Sequence, residues 1–94
     1  MKICIHSDGY EKQAELLRKT LEKRIEVEYT SDGMNIELDV VNTWNEKESY
    51  QISKIENGYR ILGSDELGLY YGIGKFLHTA VWSETEFVPN PPTK

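Results

Sequence analysis

Four carboxylates alternate along two short stretches of the chain, Glu26 and Glu28 and then Glu37 and Asp39. Two carboxyl groups held about 5–10 Å apart across a cleft hydrolyse glycosidic bonds, one as acid and the other as base or nucleophile. These four, however, alternate with Ile25, Val27 and Tyr29 and with Ile36, Leu38 and Val40, the pattern of strands with one face in water. Charges on such a face are ordinary surface residents, so solvation accounts for them without catalysis. Cys4, His6 and Asp8 follow one another at intervals of two. Cys4 with His6 suggests a thiol and a base, but no neighbouring group orients the imidazole. His6 with Asp8 supplies two ligands where a metal needs more. His78 falls in the last turn of a helix, where the dipole favours a cation. No H-E-x-x-H pattern occurs. The chain is therefore expected to hold no catalytic constellation, no metal and no cofactor.

Gly68, Gly72 and Gly74 stand in the run G-L-Y-Y-G-I-G. It lacks both the G-x-G-x-x-G order and a Walker lysine and serine, so it does not cradle a phosphate. Each glycine costs a helix about 1 kcal/mol relative to alanine. Gly68 and Gly72 lie four apart on one stripe, which predicts a helix seated tightly on a sheet. Trp44 and Trp82 are the residues best suited to stack on sugar rings. Trp44 lies in the polar loop Asn42 to Ser49, where contact with a glycan and contact with a protein are equally open. Trp82, with Val81, Phe87 and Val88, follows the final helix. That apolar cluster is expected to form an interface with a neighbouring domain, with capping of the core and sugar contact as alternatives.

The elements that must position these residues can be read in order. Lys2 to His6 alternates as a strand. Asp8 and Glu11 have capping-box spacing for a helix over about 9–23. Tyr10, Ala14, Leu17 and Leu21 share its inner face, with Leu16 beside them. Glu15 and Lys19 form an i,i+4 pair, and cations gather at the end. Strands follow at 25–29, 36–40, 50–55 and 59–62, the last two joined through Asn57-Gly58 as a hairpin. Gly63 ends the last strand. Ser64 or Asp65 caps a second helix whose apolar face is expected to include Leu67, Tyr70, Tyr71, Ile73, Phe76 and Leu77. The outward strand positions Glu26, Glu28, Glu37, Asp39, Gln51, Ser53 and Arg60 are mostly polar. The expected fold is α+β, a two-layer sandwich in the order β-α-β-β-β-β-α, with one mixed sheet and two helices on one face. Residues 1–80 form the domain. Residues 81–94, with three prolines near the end, read as a tail or linker.

Bulk properties set the outer bounds. The 94 residues make one domain with a modest core, 38% of the residues being hydrophobic. A net charge of −5 argues against nucleic acid and anionic membranes as partners. The lone Cys4 excludes an internal disulfide. No apolar run is long enough to span a bilayer, and no charged leader precedes an apolar core. The chain is expected either to act in the cytoplasm or to follow a removed leader.

The segment from Glu48 to Leu77 resembles the non-catalytic α+β domain that precedes the catalytic barrel in several glycoside hydrolases. These include the β-hexosaminidases of family 20, α-glucuronidases and hyaluronidase-type enzymes. Glu48, Tyr50 and Ile52 match that domain's Glu-x-Tyr-x-Leu/Ile strand. Gly58, Tyr59 and Ile61 match its hairpin and second strand, and Gly68, Leu69, Tyr71 and Gly72 match its Gly-Leu-x-Tyr-Gly helix. Gly74 and Lys75 depart from the family's usual residues. The resemblance implies a two-layer accessory domain without catalytic residues, whose partner is a catalytic domain in the same polypeptide. The proline-rich end then leads toward that domain. Direct glycan binding through exposed aromatics such as Trp44 is the alternative.

Overall fold

The computed structural model describes residues 1–41 and 45–90. The elements are β1 (Lys2–His6), α1 (Glu11–Arg24), β2 (Glu28–Tyr29), β3 (Met34–Val40), β4 (Tyr50–Ile55), β5 (Gly58–Gly63), α2 (Glu66–Thr79), β6 (Val81–Trp82) and β7 (Phe87–Val88). The first five strands form one mixed sheet in the order β2-β1-β3-β5-β4. β1 runs parallel to β2 and to β3, β3 parallel to β5, and β4 antiparallel to β5. The two helices cover one face. This is the expected α+β sandwich, followed by a small ribbon of β6 and β7.

The period-two pattern puts Ile3, Ile36, Leu38 and Ile61 under the helices, all buried. Leu17 and Leu21 of α1 and Leu69, Ile73 and Phe76 of α2 close over them in one cluster. On the opposite face the ladder aligns His6 with Glu37 and Glu37 with Arg60, and Arg60 Nε donates to Glu37 Oε1 at 3.0 Å. Such a pair in water is worth at most about 1 kcal/mol. It orders the polar face more than it holds the fold.

Several local expectations are corrected. α1 starts at Glu11, after an N-cap at Tyr10 that makes no side-chain capping bond. Asp8 does not cap it. Instead Tyr10 N–H donates to Ser7 O at 2.7 Å, and Ser7 Oγ donates to Glu11 Oε2 at 2.6 Å. The Ser7–Tyr10 turn therefore shifts the helix start past the capping-box spacing. Glu15 pairs with Arg18 at 3.6 Å rather than with Lys19. The 25–29 strand shrinks to Glu28–Tyr29. Ile25, as the helix C-cap, donates its N–H to Leu21 O at 2.9 Å and is buried against the core, which leaves little length to pair with β1. The hairpin keeps its place but divides differently. Glu56 and Asn57 form the loop, with Asn57 at φ 61, and Gly58 is already paired with Ile55. A Cβ on Gly58 would lie 1.9 Å from Asn35 O, so this glycine serves close strand approach and not turn conformation.

The part of 81–94 that the structure describes carries order. Val81 pairs with Val88 and Trp82 with Phe87. Phe87 is 1% exposed, within the core cluster, and meets Phe76 edge-on with ring centroids 5.9 Å apart.

Candidate functional site

Part of the motif converges where β4 begins and α2 starts. Asp65 is the N-cap of α2, and its Oδ1 accepts from Gly68 N–H at 2.7 Å. Its Oδ2 accepts from Glu48 N–H at 3.1 Å. Glu48 stands in the left-handed region at φ 57, an unusual posture for a side chain other than glycine. Ser49 N–H donates to Ser64 Oγ at 2.9 Å and Ser64 N–H donates back to Ser49 O at 2.8 Å. One carboxylate and one serine thus fasten the helix N-terminus to the strand beside it. The bonds from Gly68 N–H, and then from Glu48 N–H, hold the Asp65 carboxyl below the usual aspartate range.

Gly68 and Gly72 lie on the stripe that meets the sheet, as their spacing predicts. A Cβ at Gly68 would fall 2.2 Å from Ser49 O. One at Gly72 would fall 2.7 Å from Ile61 Cγ2 and 3.0 Å from Tyr50 Cβ. Tyr59 packs edge-on to Phe76 at 5.6 Å. Tyr50, Tyr59, Gly68 and Gly72 are therefore engaged in seating α2 on β4 and β5, whereas Gly58 seats β5 against Asn35 of β3. Two apolar residues depart from the expected face. Leu67 is 43% and Tyr71 50% exposed, and neither joins the core cluster or the residues packed on it. Leu69, absent from the expected face, is fully buried. The glycines explain the rotation. With Gly68 and Gly72 directed at the sheet, Leu69, Ile73 and Phe76 turn inward, and Leu67 and Tyr71 turn out. The Gly68–Gly72 spacing alone carried that signal.

Trp82 is occupied. Its ring stacks on Phe87 with centroids 5.0 Å apart, the Arg24 guanidinium lies 4.0 Å from its centroid, and its Nε1–H donates to Leu77 O at 3.1 Å. Phe87 and Arg24 are thus in contact with the ring that a sugar would need. Of the readings open for this cluster, core capping describes Phe87 and Trp82, while Val81 and Val88 remain exposed. Trp44 lies outside the described residues.

The groups that could do chemistry are dispersed or already bonded. Glu37 faces Arg60, and Asp39 Oδ1 accepts from the N–H of Val40 at 2.8 Å. Asp32 is held below the usual aspartate range by the Thr30 hydroxyl and then by Lys2, 3.7 Å away. It stays ionised at the rim of an open depression lined by Met34, Asn35 and Asn57. Cys4 Sγ lies 3.4 Å from His6 Nε2, and the same nitrogen lies 3.0 Å from Asn35 Oδ1. A nucleophile–base–orienter arrangement needs the two ring nitrogens to face different partners. Here one nitrogen faces both, so Asn35 does not prepare His6 to activate Cys4. Among the described residues no three His, Cys, Asp or Glu side chains are grouped to hold a metal. No described helix is long and apolar enough to cross a membrane.

Comparison with known proteins places this architecture. No family model and no curated protein matches the chain. Among solved structures, the fold is similar to part of a GH138 enzyme targeting pectin rhamnogalacturonan II. The TM-score is 0.66 at 21% identity, over 81% of this chain and 10% of that one. The likeness is one of fold, and the chain corresponds to a small portion of that enzyme.

Proposed function

We propose that the chain is a non-catalytic accessory domain of a carbohydrate-active glycoside hydrolase, supporting a catalytic barrel in the same polypeptide. The observation that carries this reading is the fold's likeness to a tenth of a glycoside hydrolase. A segment of that size leaves the chemistry to the rest of the enzyme. The local geometry agrees. Four of the six motif residues seat α2 on the sheet, and the carboxylates that would hydrolyse a glycosidic bond are paired or dispersed on an open face. The finer kinship to hexosaminidase- or glucuronidase-type enzymes rests on the Glu48 to Leu77 motif alone. Assay of this chain on a panel of aryl glycosides is expected to give no turnover above the blank. Turnover that copurifies with the folded chain would overturn the reading.

A further inference from the structure

The outward face of α2 is the part of the motif helix that the fold leaves unused. Leu67, Tyr71, Gly74, Lys75 and His78 recur at the spacing of one helical face, and all are exposed. Gly74 has no atom within 4 Å of the position a Cβ would take. A glycine in mid-helix weakens the helix, and at Gly74 no close approach among the described residues offsets the loss. α1 serves as the control. Its exposed residues are Glu11, Lys12, Glu15, Lys19, Glu22, Lys23 and Arg24 with Leu16, an ordinary solvated pattern. After Glu66, the outward face of α2 carries Lys75 and His78 as its basic groups and no carboxylate.

We propose that this face of α2 docks against another domain of the same polypeptide, with Tyr71 at its centre and Gly74 where the partner's surface comes closest. The proposal rests on the accessory-domain reading. Size selects the occupant. A half-exposed tyrosine offers about 100 Å², and the whole face roughly 300 Å². An independent partner, a second copy included, needs about 800 Å² on each side. A tethered domain is held at roughly millimolar effective concentration, so a smaller face serves. The face is convex, whereas sites for small saccharides are concave.

Hydroxyl-radical footprinting of this chain and of the full-length gene product reads the exposure of Tyr71 directly. Tyr29, 41% exposed with its hydroxyl donated to Glu22 at 2.8 Å, is the internal standard. Labelling of Tyr71 is expected to fall severalfold in the full-length product while Tyr29 is unchanged. Tyr71→Glu, but not Lys19→Glu on α1, is expected to loosen the domain and raise its protease sensitivity there. Equal Tyr71 labelling in a full-length product that carries a glycoside hydrolase domain would remove this proposal and leave the accessory reading standing. A gene product without such a domain would remove the accessory reading itself. A Tyr71-dependent dimer of this chain in sedimentation, or protection of Tyr71 by a pectic oligosaccharide, would overturn the proposal by giving the face to another occupant.

Discussion

α1 and α2 are both fourteen residues long and cover the same face of the same sheet, yet they meet it by different means. α1 stands off on side chains, with Ala14, Leu17 and Leu21 beneath it. Eight of its residues are charged, and its turns are linked by pairs such as Glu15–Arg18. It carries good helix formers and no glycine, so much of its preference for helix is local. α2 instead carries three glycines and two charged residues. Gly68 brings its backbone against the Ser49 carbonyl, and Gly72 brings it over Ile61 and Tyr50. Its stability comes from the sheet and from the Asp65 cap, and little comes from propensity. The lesson is that a helix weak in isolation can be the more closely fitted one, because the residues that weaken it are those that allow contact.

Gly68→Ala gives the sharpest test of that contrast. The new methyl would lie 2.2 Å from Ser49 O, which also accepts the Ser64 N–H. Backbone and not a flexible side chain must move, which puts the cost at about 3 kcal/mol, the upper end for overpacking, against the gain of about 1 kcal/mol in helix propensity. A net loss of about 2 kcal/mol is expected in urea unfolding. A neutral result would mean that α2 does not lie tight on β4. Gly74→Ala on the same helix is expected to do the reverse. Its methyl enters open space, so unfolding should show a gain of about 0.5–1 kcal/mol. A loss there would show that this turn of α2 tolerates only glycine.

The smallest effect concerns the cap that α2 has and α1 lacks. The folded carboxyl of Asp65 is held below the usual aspartate range by Gly68 N–H and then Glu48 N–H. Its contribution is therefore fully present above the ordinary aspartate pKa. It fades as pH falls from there through the lowered folded value. Asp65→Asn keeps an oxygen for one N–H and removes the charge. The variant should lose part of this acid-side slope in unfolding measured from pH 6 to pH 2, roughly the span of aspartate titration. An unchanged slope would assign it to other carboxylates.

Much of this contrast was legible in the residues. The i,i+4 spacing of Gly68 and Gly72 announced close seating, Asp65 was one of two caps offered, and alternation placed the buried Ile36, Leu38 and Ile61. The failures have physical causes. Capping-box spacing at Asp8 and Glu11 lost to the Ser7–Tyr10 turn, a local competition that spacing does not rank. Leu67 and Tyr71 looked buried because apolar residues surround the α2 helix on several sides. Periodicity then leaves the facing direction open, and the glycine contacts decide it. β6 and β7 are two residues each, too short for any period to register.

The sequence by itself determined the two helices and the five strands of the main sheet, apart from their ends, narrowed the α2 cap to Ser64 or Asp65, and marked Gly68 and Gly72 as packing residues. Those are local matters, set by alternation, capping chemistry and the absence of a side chain. Tertiary structure alone decided the strand order β2-β1-β3-β5-β4 and the burial of Phe87 against Phe76. Each of these depends on contacts between residues distant in the chain, and the spacing of residues along one element carries no record of them.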